Sequence, residues 1–200
     1  VARYFKGLET NAPAAQRLKT AIAGPAPDLS GGYEYLQLER MAFYVNKDAY
    51  RNAVRAAVEM YKAQGCDGLI AVGGGSAIDI AKSVAAYAGY HGALEDLFGI
   101  DQVPRKGPPL IAIPTTAGTG SEVTNVAILS DKAAQLKKGI VSDYLLPDVA
   151  LISPQMTLTC PRSVTAASGV DALVHAIESY LSLNASPITD ALAIGAIKLI

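Results

Sequence analysis

Asp171 and His175 stand four residues apart in SGVDALVHAIE, residues 168–178, and on a helix that spacing projects a carboxylate and an imidazole from one face. Such a pair can grip one divalent metal ion, although two donors do not complete a site. It can equally be an ordinary helical pair, with Asp171 favouring the helix N-terminus and hydrogen-bonding His175. A second segment, GGGSAIDIAK at 73–82, joins an apolar run to a helical pattern. Its three glycines clear side chains from a place where a ligand can approach the backbone, and the helix start offers free N–H groups and positive dipole to a phosphate. A pyrophosphate fits there, as does a plain tight turn, since glycine is the default residue of such turns. In a third segment, PTTAGTGSEVT at 114–124, the hydroxyls of Thr115, Thr116, Thr119, Ser121 and Thr124 crowd a glycine-loosened loop. They suit phosphate or ribose oxygens, or simply a polar surface. There is no GxGxxG, and Lys82-Ser83 lacks the preceding glycine of GxxxxGK[ST], so neither an ordinary Rossmann site nor a P-loop is indicated. The other histidine, His91, lies beside glycines and reads as solvated.

The elements that must position these residues follow from periodicity. Residues 47–64 place Tyr50, Val54, Ala57, Val58 and Tyr61 on one helical stripe, which Gly65 stops. LIAV at 69–72 is too short for a helix and lacks polar alternation, which predicts a strand covered on both faces. After GGGS, the repeat of Ile78, Ala81, Ala85 and Ala88 predicts a helix broken at Gly89. A second buried strand, LIAI at 110–113, runs into the threonine-rich loop, and strands are expected over 123–129, 138–141 and 148–152. Strands alternating with helices predict an α/β fold, an open and mostly parallel sheet with ligand-binding loops at the strand carboxyl ends.

From Pro154 the strand signal ends, and 170–183 and 188–200 read as helices, the second capped by Ser186 with Pro187 in its first turn. The expected organisation is an α/β domain over 1–157 and the beginning of an all-α domain over 158–200, cut short because the last helix meets no stop signal before Ile200. In the first 45 residues, NAPAAQRLKTAIAG reads as a short helix and YEYLQL and MAFYV as strands, interrupted by Pro25, Pro27, Gly31 and Gly32.

Composition narrows the function. Of 200 residues, 50% are hydrophobic and 18% charged, enough to build a core and against disorder. A net charge of -1 with no basic stripe argues against nucleic acid as a partner. No apolar run approaches the roughly 18 residues of a membrane helix. The start, VARYFKGLET, has no signal-peptide core, and Cys66 and Cys160 form neither a disulfide framework nor a CxxC pair. Both cysteines read as packing residues of a reduced, cytoplasmic protein.

GGGSAIDIAK, PTTAGTGSEVT, KKGIVSDYLLPDVALISP and TAASGVDALVHAIESYLSLNASPITDALA, in this order and spacing, resemble the iron-dependent (group III) alcohol dehydrogenase family over residues 46–200. Four blocks in register are specific where any one is weak. The resemblance implies an N-terminal dinucleotide-binding domain, a C-terminal helical metal domain, and a cleft holding NAD or NADP with a divalent ion, iron or zinc. By position it implies that Gly74, Gly75 and Ser76 hold the pyrophosphate and that Asp79 lies beside the cofactor. Thr115, Thr116, Thr119, Ser121 and Thr124 then face its phosphates and nicotinamide half, and Lys137 its ribose. Asp171 and His175 match the first two metal ligands, and the family's remaining two, both histidines, fall beyond these 200 residues. Cys160-Pro161-Arg162 departs from the apolar residue and two prolines common there.

The activity so implied is hydride transfer between an alcohol or carbonyl substrate and NAD(P), by a homodimer or higher homo-oligomer, with the metal as Lewis acid and Asp171 and His175 acting through it. The alternatives are a glycerol-dehydrogenase-like or dehydroquinate-synthase-like enzyme on the same scaffold and a nucleotide-binding module without catalysis. SGVDALVHAIE fits the alcohol dehydrogenase branch better than the other enzymes.

Overall fold

A computed structural model describes residues 49–131 and 136–200. The helix and strands expected in the first 45 residues lie outside the described residues. Every described residue belongs to a single compact unit.

The stripe of the first helix, α1 (Ala49–Ala63), turns Ala53, Val54 and Val58 inward. Gly65, at φ +61°, ends it: the Gly65 N–H donates to Lys62 O and the Cys66 N–H to Tyr61 O. Strand β1 (Leu69–Gly73) then leads directly into α2 (Gly75–Ala88). After it come β2 (Gly99–Ile100), β3 (Leu110–Pro114), β4 (Val126–Asp131), β5 (Leu136–Val141) and β6 (Val149–Ala150). Two helices close the described chain, α3 (Arg162–Leu181) and α4 (Pro187–Leu199).

The strands form two small sheets. The first has the order β1-β3-β6 and is wholly parallel. The second, β2-β5-β4, pairs β2 and β5 in parallel but β4 and β5 antiparallel. The mostly parallel pairing read from the sequence holds, divided between two sheets and with β4–β5 as its antiparallel exception. Only residues 132–135 separate β4 from β5, and a parallel crossover needs about a dozen or more.

Helix α2 packs against α1, β1, β3 and β4 and is buried around most of its circumference. Ile78 packs with Ala71, Leu110 and Ala112 of the parallel sheet. Ile80 and Val84 join Val54, Val58, Leu129 and Ile140 in the larger core cluster. Each such aliphatic side chain contributes about 1.5–3 kcal/mol by leaving water. Strand β1 departs from the expectation of burial on both faces, since Ala71 is buried but Ile70 is 49% and Val72 40% exposed. Helix α2 packs on the face that carries Ala71.

Helix α3 starts at Arg162 rather than 170, because its first turns are built from small residues that leave no apolar stripe to read. Ser186 caps α4 as expected, its Oγ accepting from the Thr189 N–H at 3.3 Å while Thr189 Oγ1 accepts from the Ser186 N–H at 2.7 Å. Cys66, expected to pack, is exposed just past α1, and Cys160 is half-buried. His91 is exposed, as expected.

Candidate cofactor and metal site

The parallel register of β1 and β3, which sets Gly73 opposite Pro114, makes the glycine turn and the threonine-rich loop leave the sheet side by side. The Thr115 N–H donates to Gly73 O at 2.9 Å, tying the two exits together. Gly74 caps α2 in an extended conformation with no side-chain cap. The first helical bonds run from the Ala77 and Ile78 N–H groups to Gly74 O, so the Gly75 and Ser76 N–H groups precede them at the positive end of the helix.

Space is tight at Gly75 and ordinary at Gly74. A Cβ on Gly75 would come within 2.8–3.0 Å of the Thr119 side chain, and one on Gly74 would lie 3.4 Å from Thr116. Thr116 Oγ1 is buried and has no hydrogen-bond partner. A buried hydroxyl without a partner beside an uncapped helix start suits a phosphate oxygen.

A cleft of about 960 Å³ opens over this turn. Gly74, Gly75, Ser76, Thr115, Thr116 and Thr119 line it, together with Gln155, Met156, Cys160, Val164, Ser168 and Asp171. The structure thus brings together seven of the residues read from the sequence, six from the two loops and Asp171 from α3. Asp79, Ser121, Thr124, Lys137 and His175 do not line it. Lys137 is exposed on the β4–β5 hairpin, in register with Ser130.

Asp79 and Thr124 belong instead to a buried polar cluster whose centre sequence reasoning missed. Lys82 is fully buried, and its Nζ donates to Thr124 O at 2.8 Å, to Val126 O at 2.9 Å and to Thr124 Oγ1 at 3.0 Å. Asp79 Oδ2 accepts from the Ile128 N–H at 3.0 Å, while Oδ1 lies 3.9 Å from Lys82 Nζ without a hydrogen bond. Burial pushes the Asp79 carboxyl above the usual carboxylate range and pulls the Lys82 ammonium down to about 8, against the opposing attraction of Asp79 and Glu122. The cluster bolts α2 to the end of the threonine-rich loop and to β4. Its signal in the sequence was an i, i+3 Asp and Lys amid the small and apolar residues of a buried helix.

Asp171 and His175 sit on successive turns of α3, with Oδ1 and Nε2 3.7 Å apart and the side chains 50% and 54% exposed. That distance is too long for a hydrogen bond. It is shorter than the ~4.2 Å at which one ion still reaches two ligands at about 2.1 Å each, so the two donors fit a shared divalent metal. Among the described residues, no third His, Cys, Asp or Glu joins them. The glycine turn and Asp171 thus line one cleft.

The family signature described as iron-containing alcohol dehydrogenase matches residues 34–154, and its C-terminal counterpart matches residues 165–200. The chain belongs to the iron-containing alcohol dehydrogenase family. It is 52% identical over 137 residues to long-chain-alcohol dehydrogenase 1 of Geobacillus thermodenitrificans, covering 67% of this chain and 34% of that one. To the NAD-dependent methanol dehydrogenase of Bacillus methanolicus it is 42% identical over 147 residues, 74% of this chain and 39% of the relative. Among solved structures, the sulfoacetaldehyde reductase from Bifidobacterium kashiwanohense, in complex with NAD+, is 40% identical with a TM-score of 0.70, over 74% of this chain and 40% of that one. The chain therefore spans 34% to 40% of the length of these alcohol dehydrogenase family relatives.

Proposed function

We propose that this chain supplies the cofactor site, and the first part of the metal site, of a metal-dependent alcohol dehydrogenase or aldehyde reductase. The observation that carries the reading is the single cleft on which the glycine turn, the threonine-rich loop and Asp171 meet. In this reading residues 1–157 form the α/β domain that binds NAD or NADP, and residues 158–200 begin the helical metal and substrate domain. The Gly75 and Ser76 N–H groups, at the open start of α2, donate to the pyrophosphate, and the buried Thr116 hydroxyl gains a phosphate partner. Thr115 and Thr119 flank the same ligand. Asp79, Ser121 and Thr124 act from behind, through the fixed position of the loop, and Lys137 reaches the ribose from the hairpin.

Asp171 and His175 hold a divalent ion, iron or zinc, through one carboxylate oxygen and one imidazole nitrogen. When bound, the ion supplies Lewis acidity to a substrate oxygen and the nicotinamide gives or takes the hydride. The chain's own contribution is to fix both groups on one cleft, so that reaction becomes a matter of position. The reading includes a small alcohol, aldehyde or ketone substrate, a homodimer or higher homo-oligomer, and the cytoplasm, where two unpaired cysteines are at home.

The test is to titrate the full-length protein with NADH and NADPH and to assay its alcohol oxidation before and after chelation. Tight binding of one nucleotide, and turnover that disappears on chelation and returns with iron or zinc, is the expected result. Turnover untouched by thorough metal removal overturns the metal-dependent reading, and no affinity for either nucleotide overturns the cofactor reading.

A further inference from the structure

We propose that the backbone contact between Gly118 and Ser168 is a positioning contact that couples cofactor binding to metal binding, by seating α3 against the threonine-rich loop. The inference rests on the reading of the cleft given above.

Gly118 lies at φ +151°, and a Cβ built on it would fall 2.0 Å from Ser168 O, 2.6 Å from Ser168 C and 3.0 Å from Ser168 Cβ. No side chain separates the loop backbone from the helix backbone at this point. Ser168 is buried, and its hydroxyl donates to Thr165 O at 3.3 Å within its own helix, so the loop meets the helix through main-chain atoms.

On each side the contact leads straight to a ligand position. The next loop residue, Thr119, fills the space beside Gly75, where its side chain would stand 2.8 Å from a Cβ. On the helix side, Asp171 follows Ser168 by three residues and lines the cleft, and His175 Nε2 lies 3.7 Å from its Oδ1. A phosphate settling on the glycine turn bears on Thr119, Thr119 is continuous with Gly118, and Gly118 bears on the turn of α3 that presents Asp171. Close-packed atoms have no slack in which to absorb such a displacement. One contact therefore biases both sites, and the resulting coupling is reciprocal: each ligand tightens the other by the same factor.

A variant of the full chain tests this. Gly118→Ala drives a methyl group into the Ser168 carbonyl and places a non-glycine residue at φ +151°. NADH affinity is read by fluorescence titration with and without zinc, and zinc affinity by calorimetry with and without NADH. In the unsubstituted chain each ligand should tighten the other by about fivefold or more, to the same extent in both directions. In the folded variant that factor should fall below about twofold. Additive binding in the parent, or undiminished coupling in folded Gly118→Ala, overturns the inference. A parent chain that binds neither NADH nor zinc fails at the earlier reading instead. Should Gly118→Ala not fold, the coupling measured in the parent alone decides.

Discussion

Lys82 and Thr124, 42 residues apart in sequence, are joined twice: the Lys82 ammonium donates to the Thr124 carbonyl oxygen at 2.8 Å and to its hydroxyl at 3.0 Å. With Val126 O as a third acceptor and Asp79 alongside, a buried charge is stabilised by hydrogen bonds that also fix the end of a ligand-facing loop. Replacing Lys82 with Met keeps the approximate length and removes every donor, leaving Asp79 and three oxygens without it. Loss of one partner from such a cluster costs about 3–5 kcal/mol, so Lys82→Met should lower the urea midpoint strongly. Asp79→Asn should be milder, since an amide oxygen can still accept from the Ile128 N–H and burial already disfavours the charged carboxyl. Equal losses for the two variants would show that the charge pair, rather than the lysine's hydrogen bonds, holds the loop.

The same lysine gives stability a pH dependence of definite sign. Its ordinary value is 10.5 and burial brings it to about 8, so between those limits the unfolded chain binds more protons than the folded one. Stability contributed by this site must then rise with pH across that window, as the penalty for burying the cation is relieved. Asp79 and Glu122 are the charged groups that face it, and their attraction opposes the shift without cancelling it. Comparing urea midpoints near pH 7.5 and pH 10, the gap between the parent and Lys82→Met should widen at the higher pH. A gap that is constant or narrows contradicts the assignment.

Why the glycine turn and the threonine-rich loop were legible, and Lys82 was not, has a physical basis. Gly73 to Ser76 and Thr115 to Thr119 follow apolar runs directly, and both the breaks in pattern and the residue types are local signals. That β1 and β3 are adjacent follows from the alternation of strand and helix. What local pattern does not contain is the partner. The antiparallel pairing of β4 with β5 depends on a short connection, the exposure of Ile70 and Val72 on which face α2 covers, and the early start of α3 on small residues. Gly118 looks like any loop glycine until Ser168 is brought against it. Lys82 reads as a surface residue unless the helix is known to be buried on nearly all sides.

The glycine turn itself predicts a loss of binding without loss of fold. Gly75→Val introduces a branched side chain where even a Cβ would stand 2.8–3.0 Å from Thr119, so Thr119 must give way into the space over the helix start. Cofactor affinity should fall by at least tenfold, about 1.4 kcal/mol, with the circular dichroism of the parent retained. An unaltered NAD(P)H titration in the folded variant would remove the pyrophosphate from this turn.

The metal pair is the sharpest discriminator, because its two explanations differ in every observable. If Asp171 and His175 share an ion, His175→Ala removes a neutral nitrogen donor, while Asp171→Asn keeps the shape and removes the negative charge. Either change should strip bound metal and turnover from the full chain. NAD(P)H binding should survive both, with only the coupled part of its affinity reduced, since the glycine turn and threonine-rich loop are untouched. If the two are merely neighbours on a half-exposed helix face, each change should cost well under about 1 kcal/mol of stability and leave metal content and activity alone. Elemental analysis beside an activity assay separates the outcomes, and a fully active, metal-replete His175→Ala protein would falsify the role proposed for this face of α3.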